Sequence, residues 1–153
     1  MPSYTPTKST GSGTKAYASA DGTTYSLFAS VSKLGPPELT RNTVDVTDLN
    51  SYEDNDQMKE NVVDFIEPGD LTIEGFYKSA DAGKALVETA FWNGSVIYIK
   101  IVLPSMFSTG RVYACRVTGF REIGEISSDA GIPFSATFKI LQRPTTVSTT
   151  TTT

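Results

Sequence analysis

The sequence predicts a mainly β protein: a β-sandwich or rolled β-barrel with one flanking α-helix, a long loop and flexible termini. Three observations point there. Residues 70–77, 95–103, 110–123 and 132–141 each alternate apolar side chains with Thr, Lys, Tyr or other polar ones, the period-two pattern of a half-buried strand. Between the first two lies one stretch with helical spacing. Both ends are Ser, Thr, Gly and Pro, with too little apolar surface to offset the entropy of ordering them. The chain therefore divides into an arm (1–13), a domain (14–143) and a Thr-rich tail (144–153).

Taken in order, 15–20 and 23–31 flank Asp21-Gly22, a pair suited to the positive φ angles of a type I′ turn, so a hairpin is expected. Leu34-Gly35-Pro36-Pro37 ends its second strand, because proline cannot donate to a sheet ladder. Alternation resumes in 42–48, with Val44 and Val46 on one face and Thr43, Asp45 and Thr47 on the other. Residues 49–62 break the pattern: turn formers and acids, then Gln57, Met58, Lys59, Glu60 and Asn61 without sheet periodicity. A connection of that length inside a domain is functional or disordered. Val62, Val63, Phe65 and Ile66 are expected to return the chain to the core before Pro68-Gly69 turns it.

In the next strand Leu71, Ile73 and Gly75 share a face. Ala82, Leu86 and Ala90, joined by Val87 and Phe91, make an apolar stripe, so 81–92 is an amphipathic helix lying on the sandwich. Asp81 suits the positive end of its dipole, and Asn93-Gly94 supplies a residue able to close it in the left-handed conformation. Ile97, Ile99, Ile101 and Leu103 on one strand, and Phe134, Ala136, Phe138 and Ile140 on another, are the faces expected to build the core.

Composition excludes several function classes. With 153 residues the chain makes one domain, which buries roughly 70% of its unfolded surface. A net charge of −4, with 13 Lys and Arg scattered along the sequence, argues against a groove that grips phosphates. There is no His, so the commonest general base and metal ligand is missing. Cys115 is the one cysteine, which rules out an intramolecular disulfide, and beside Ala114 and Val117 it suits a small buried hydrophobe. No apolar run has the form of a signal peptide or approaches the ~18 residues of a spanning helix. A soluble intracellular product without metal or cofactor is the expectation.

The acids Asp45, Asp48, Glu53, Asp54 and Asp56 invite a calcium reading, but 48–56 lacks the glycine that a calcium loop needs for its sharp turn. Spacing alone leaves a catalytic carboxylate pair open, since such partners meet in space. The plainer reading is a solvated acidic loop, or one that meets a basic patch on another subunit. Asn93-Gly94-Ser95 fits a glycosylation acceptor, and helix capping explains it more simply. Tyr17, Tyr25, Tyr98 and Tyr113 fall in predicted strands, where aromatics pack in a core or an interface. Without His, a Ser or Cys nucleophile has only Lys or a carboxylate to activate it. No enzyme is expected.

As a whole the pattern resembles the major tail tube proteins of long-tailed, lambda-like bacteriophages, from Gly11 to Arg143. The residues that carry the resemblance are the small-residue N-terminal arm, Val44-Asp45-Val46-Thr47-Asp48-Leu49 running into the acidic loop, and Leu71-Thr72-Ile73-Glu74 followed by a helix ending in Phe91-Trp92. Gly119-Phe120, the link Ile126-Ser127-Ser128-Asp129-Ala130-Gly131 and Phe138-Lys139-Ile140 complete it. Their order, more than any one motif, is the evidence.

The resemblance implies a structural virion protein that stacks as hexameric rings into a hollow tail tube, the conduit for genome DNA. Its partners would be further copies of itself, the tape measure, tail tip and terminator proteins, and DNA that slides through an acidic lumen without specific binding. No membrane and no cofactor are implied. The protein would reside in the virion tail, and in the host cytoplasm during assembly. Loop residues Asn50, Tyr52, Glu53, Asp54, Asp56, Met58 and Lys59 would then reach neighbouring subunits. Exposed edge strands, a liability in a monomer, would become the assembly interface. Two other readings fit the same pattern: a monomeric carbohydrate-binding sandwich that uses exposed aromatics, and a head–tail connector or tail terminator that stops at a single ring.

Overall fold

The four alternating segments of the second half are strands, and they form the centre of the molecule. The computed structural model of the chain describes residues 11–54, 56–104 and 107–148. Among these it has ten strands and two helices: β1 Lys15–Ser19, β2 Ser26–Leu27, β3 Lys33–Gly35, β4 Leu39–Asp45, α1 Ser51–Asp54, β5 Asn61–Pro68, β6 Asp70–Phe76, α2 Ala82–Asn93, β7 Val96–Val102, β8 Thr109–Arg121, β9 Pro133–Ile140 and β10 Thr145–Ser148. The protein is mainly β, as the sequence predicts.

Eight strands form one antiparallel sheet in the order β2-β1-β7-β8-β9-β6-β3, with β10 pairing the start of β8. Register sets the core in rows. Leu71, Phe138 and Val117 lie opposite one another across β6, β9 and β8. Ile97, Cys115 and Ile140 form a second row across β7, β8 and β9. All six are buried, and each fully buried Leu, Ile or Phe stabilises by roughly 1.5–3 kcal/mol over leaving it exposed. The two expected core faces, on β7 and β9, thus flank β8 in one curved sheet.

The sheet does not close into a barrel. Its end strands β2 and β3 are joined by residues 28–32, which run from one edge to the other. Phe28 N–H donates to Ala16 O at 3.0 Å and Ser32 N–H to Glu74 O at 2.8 Å. A Cβ on Gly75 would collide with the Ser30 carbonyl oxygen, so the crossing segment lies directly on this glycine.

Helix α2 is capped as its sequence predicts. Asp81 Oδ1 accepts the Lys84 N–H at 3.1 Å. Gly94, at φ 66°, donates its N–H to Ala90 O. Gly83, Lys84, Val87 and Ala90 turn inward against the β1–β8 side of the sheet. The buried Lys84 ammonium is matched on three sides: Glu122 Oε1 at 3.1 Å, the Lys78 carbonyl at 3.4 Å and the Tyr77 ring at 4.1 Å.

Several sequence expectations are corrected. The Asp21-Gly22 hairpin exists, but Ala18 pairs with Ser26, so the connection is residues 19–25 and not a two-residue turn. Side chains hold it: Ser19 Oγ accepts the Gly22 N–H at 2.9 Å, and Asp21 Oδ1 accepts those of Thr23 and Thr24 at 2.9 and 3.0 Å. These bonds hold the Asp21 carboxyl well below the usual carboxylate range. The expected long second strand shrinks to β2 and β3, and β3 ends at Gly35 before the two prolines. Leu103 lies beyond β7 and is exposed. The sheet also continues past the expected boundary at Arg143, because Thr145–Ser148 pair with β8. The rest of the expected mobile ends, residues 1–10 and 149–153, lies outside the described residues. The largest correction concerns Val62 to Ile66, which do not return to the core.

Candidate assembly surface

The segment expected to be strand, loop and return is one long β-hairpin, a second sheet made only of β4 and β5. Leu39 pairs with Pro68, Arg41 with Ile66, Thr43 with Val63 and Asp45 with Asn61, with a bulge between Arg41 and Thr43. β-branched residues (Thr40, Thr43 and Val44 on β4, Val62, Val63 and Ile66 on β5) favour both strands, and directly opposed residues share a face. One face carries Leu39, Val63 and Ile66, and the other carries Val44, Val62 and Phe65. Every residue of β4 is exposed, as is β5 from Asn61 to Glu67, and Phe65 keeps 85% of its surface in water. A two-stranded hairpin alone is marginally stable. This one presents a large apolar surface that the described residues leave exposed.

Beyond Asp45 the ladder continues through side chains. Val46 N–H donates to Glu60 O at 2.9 Å, and Glu60 N–H to Thr47 Oγ1 at 2.9 Å. Asp45 accepts the Thr47 hydroxyl and, at 2.9 Å, the Thr47 N–H, and these bonds hold its carboxyl below the usual range. At the tip Asp48 Oδ1 accepts the Asn50 N–H at 2.9 Å, one helical turn follows as α1, and Gln57 N–H closes back on Tyr52 O at 2.9 Å. Asp56 and Gln57 take positive φ angles of 48° and 67° to make that reversal.

The structure therefore gathers Asn50, Tyr52, Glu53, Asp54, Asp56, Met58 and Lys59 at one place, the exposed tip of the hairpin. Leu49, almost wholly exposed, joins them. Among the described residues no three His, Cys, Asp or Glu side chains come together as a metal site. No helix among them is long and apolar enough to cross a membrane. Cys115 is buried, and loss of solvation pushes its thiol up to about 12, which leaves it unreactive.

Charge divides sharply along the chain. Residues 38–67 hold nine Asp and Glu against two Lys and Arg, whereas the remainder holds eight against eleven. Within the hairpin the acids crowd toward the tip and Arg41 sits near the root. Beside that root is a groove of about 500 Å³ between the first residues of the hairpin and the segment after β9. Its walls are mostly apolar (Leu39, Ile66, Leu141 and Pro144), with Arg41 and Arg143 also lining it. Sequence reasoning named the tip and expected a strand before it, but missed strand β5 after it and this groove. The signal was present in Val62, Val63, Phe65 and Ile66, β-branched and aromatic residues that say strand without saying what covers it.

No protein-family model matches the chain, and no curated protein does. Solved structures share its fold. A chain from the tail of an empty gene transfer agent particle, of C6 symmetry, superposes with a TM-score of 0.70 at 15% identity, covering 92% of this chain and 100% of that one. A chain of an extracellular contractile injection system, the PVC sheath/tube terminator in its extended state, gives 0.63 at 9% identity over 96% and 99%. The six-fold-symmetrised baseplate of the anti-feeding prophage gives 0.59 at 11% over the same shares. At such identities the likeness is one of fold.

Proposed function

We propose that this chain is a tail tube subunit: a structural virion protein, not an enzyme, that polymerises as stacked hexameric rings into the hollow tail tube of a long-tailed phage. The observation that carries this reading is the projecting β4–β5 hairpin, whose apolar faces and tip the described residues leave to solvent. A monomer gains nothing from such a surface, whereas a polymer gains an interface by covering it. The fold held in common with chains of a six-fold gene transfer agent tail, a six-fold-symmetrised prophage baseplate and a contractile injection system supports the same reading. In this role the protein meets copies of itself, the tape measure, tail tip and terminator proteins, and the DNA passing through the lumen. The acidic net charge suits a wall that repels phosphate and lets DNA slide.

Electron microscopy of the purified protein over a concentration series, beside light scattering, tests the reading. Hollow filaments of six-fold rings are expected. Rings that never stack would favour a connector or terminator, and a strict monomer that binds glycans would favour the binding-module alternative. Tyr52→Ala with Met58→Ala should leave the urea midpoint of the subunit unchanged and weaken polymerisation. Tubes of normal yield and length from that variant would remove the tip from the interface.

A further inference from the structure

The hairpin's tip and its root groove are opposites that match. The tip exposes Leu49, Tyr52 and Met58 among the acids Glu53, Asp54 and Asp56. The groove offers apolar walls and the two guanidinium groups of Arg41 and Arg143. Neither guanidinium makes an ion pair or a side-chain hydrogen bond among the described residues. One copy cannot join its own two ends: β4 alone rises by roughly 20 Å at ~3.3 Å per residue, and the tip lies beyond it.

We infer that the tip of one copy docks in the root groove of a second copy of this chain, head to tail, with tip carboxylates on Arg41 and Arg143. This rests on the self-association proposed above and names its contact. Seating Leu49, Tyr52 or Met58 in the groove removes apolar area from water on both partners, and the arginines supply planar forks that suit carboxylates. Because the two surfaces differ, the contact is heterologous. It propagates until it closes into a ring or runs on as a filament, which are the two modes of growth a stacked-ring tube requires.

The test uses the full chain. A copy with Tyr52→Cys is mixed with a copy with Leu141→Cys under mild oxidation, and the buried Cys115 does not compete. The expected product is a covalent dimer that forms in the mixture and in neither protein alone. In parallel, Arg143→Glu should raise the concentration for half-assembly about tenfold or more, and adding Asp54→Arg should recover much of that loss. Tubes that form without the cross-link, and with Arg143→Glu at the wild-type concentration, would overturn the docking while leaving the tube reading intact. Cross-linked chains that never become hollow tubes would uphold the docking and sink the tube reading. A wild-type protein monomeric at every concentration would overturn both.

Discussion

Strands β5 and β9 are each eight residues long and each carries Phe and Ile, yet one is the edge of an exposed hairpin and the other the floor of the core. In β9 Phe134, Ala136, Phe138 and Ile140 are all buried, because β8 and β6 pair on either side and further core side chains pack against that face. In β5 only β4 pairs, and nothing among the described residues covers Val63 or Phe65. The period of a strand decides which side chains share a face. Whether that face is dry depends on a second layer that the strand itself does not encode.

The largest expected contrast comes from cutting the same side chain in each strand. Phe138→Ala should cost about 3–5 kcal/mol in urea unfolding of the free subunit, through lost burial and a residual cavity. Phe65→Ala should stay within about 0.5 kcal/mol, as surface changes do, and show its effect only as a higher concentration for assembly. Equal losses would mean that the hairpin packs on its own body and that the comparison is wrong.

Next is the half-buried ion pair between helix α2 and the residue that follows β8. Glu122→Ala leaves the Lys84 ammonium buried with only a carbonyl and a ring beside it, at a cost of about 3 kcal/mol. Lys84→Met keeps most of the stem packing and leaves Glu122, whose side chain is 37% exposed, free to turn to water. Its cost should be about 1 kcal/mol or less. Thermal melts of the two variants decide it, and the reverse order would mean that the Lys84 stem matters more than its charge.

A smaller effect separates the body's side-chain-held turn from the hairpin in pH. The Asp21 carboxyl is held below its unfolded range by the Thr24 and Thr23 N–H groups and then by Ser19. Its contribution is therefore fully present above the unfolded carboxylate range, about pH 4, and is lost as pH falls below it. Asp21→Asn should lower Tm at pH 7 and flatten the acid side of the Tm–pH curve, so that variant and parent converge at low pH. An unchanged acid slope would show that other carboxylates set it. Least visible is Cys115: its thiol, pushed up to about 12 by burial, should resist a maleimide at pH 8 in the native protein and react once urea unfolds it. Fast native labelling would mean that the β7–β8–β9 core opens readily.

How much of this was legible beforehand follows the reach of the forces. The buried face of helix α2 is Gly83, Lys84, Val87 and Ala90 and not the expected Ala82–Leu86–Ala90 stripe, whose Ala82 is exposed. The helix itself shows in Asp81, Gly94 and the helical spacing of its apolar residues, because capping and spacing act within a few residues. The four strands of the second half show for the same reason. The Asp21-Gly22 turn misled, because two local side chains, Ser19 and Asp21, took the N–H groups that a tight turn would have given to backbone. The tip residues are neighbours in sequence and are together in space. The root groove was not legible, since Leu39 and Ile66 meet Leu141 and Arg143 only after some 75 residues of sheet have been laid between them.

By itself, then, the sequence determined the mainly β class, the one long helix and its caps, the inward faces of β6, β7 and β9, and the concentration of acid in one stretch. Those follow from interactions between neighbours along the chain. The tertiary structure decided that the sheet stays open with residues 28–32 laid across Gly75, that Val62 to Ile66 project into solvent, and that an arginine-lined groove lies at the foot of an acidic hairpin. These depend on which strands pair and which layers face. Pairing brings together residues far apart in sequence, and no local pattern records its outcome.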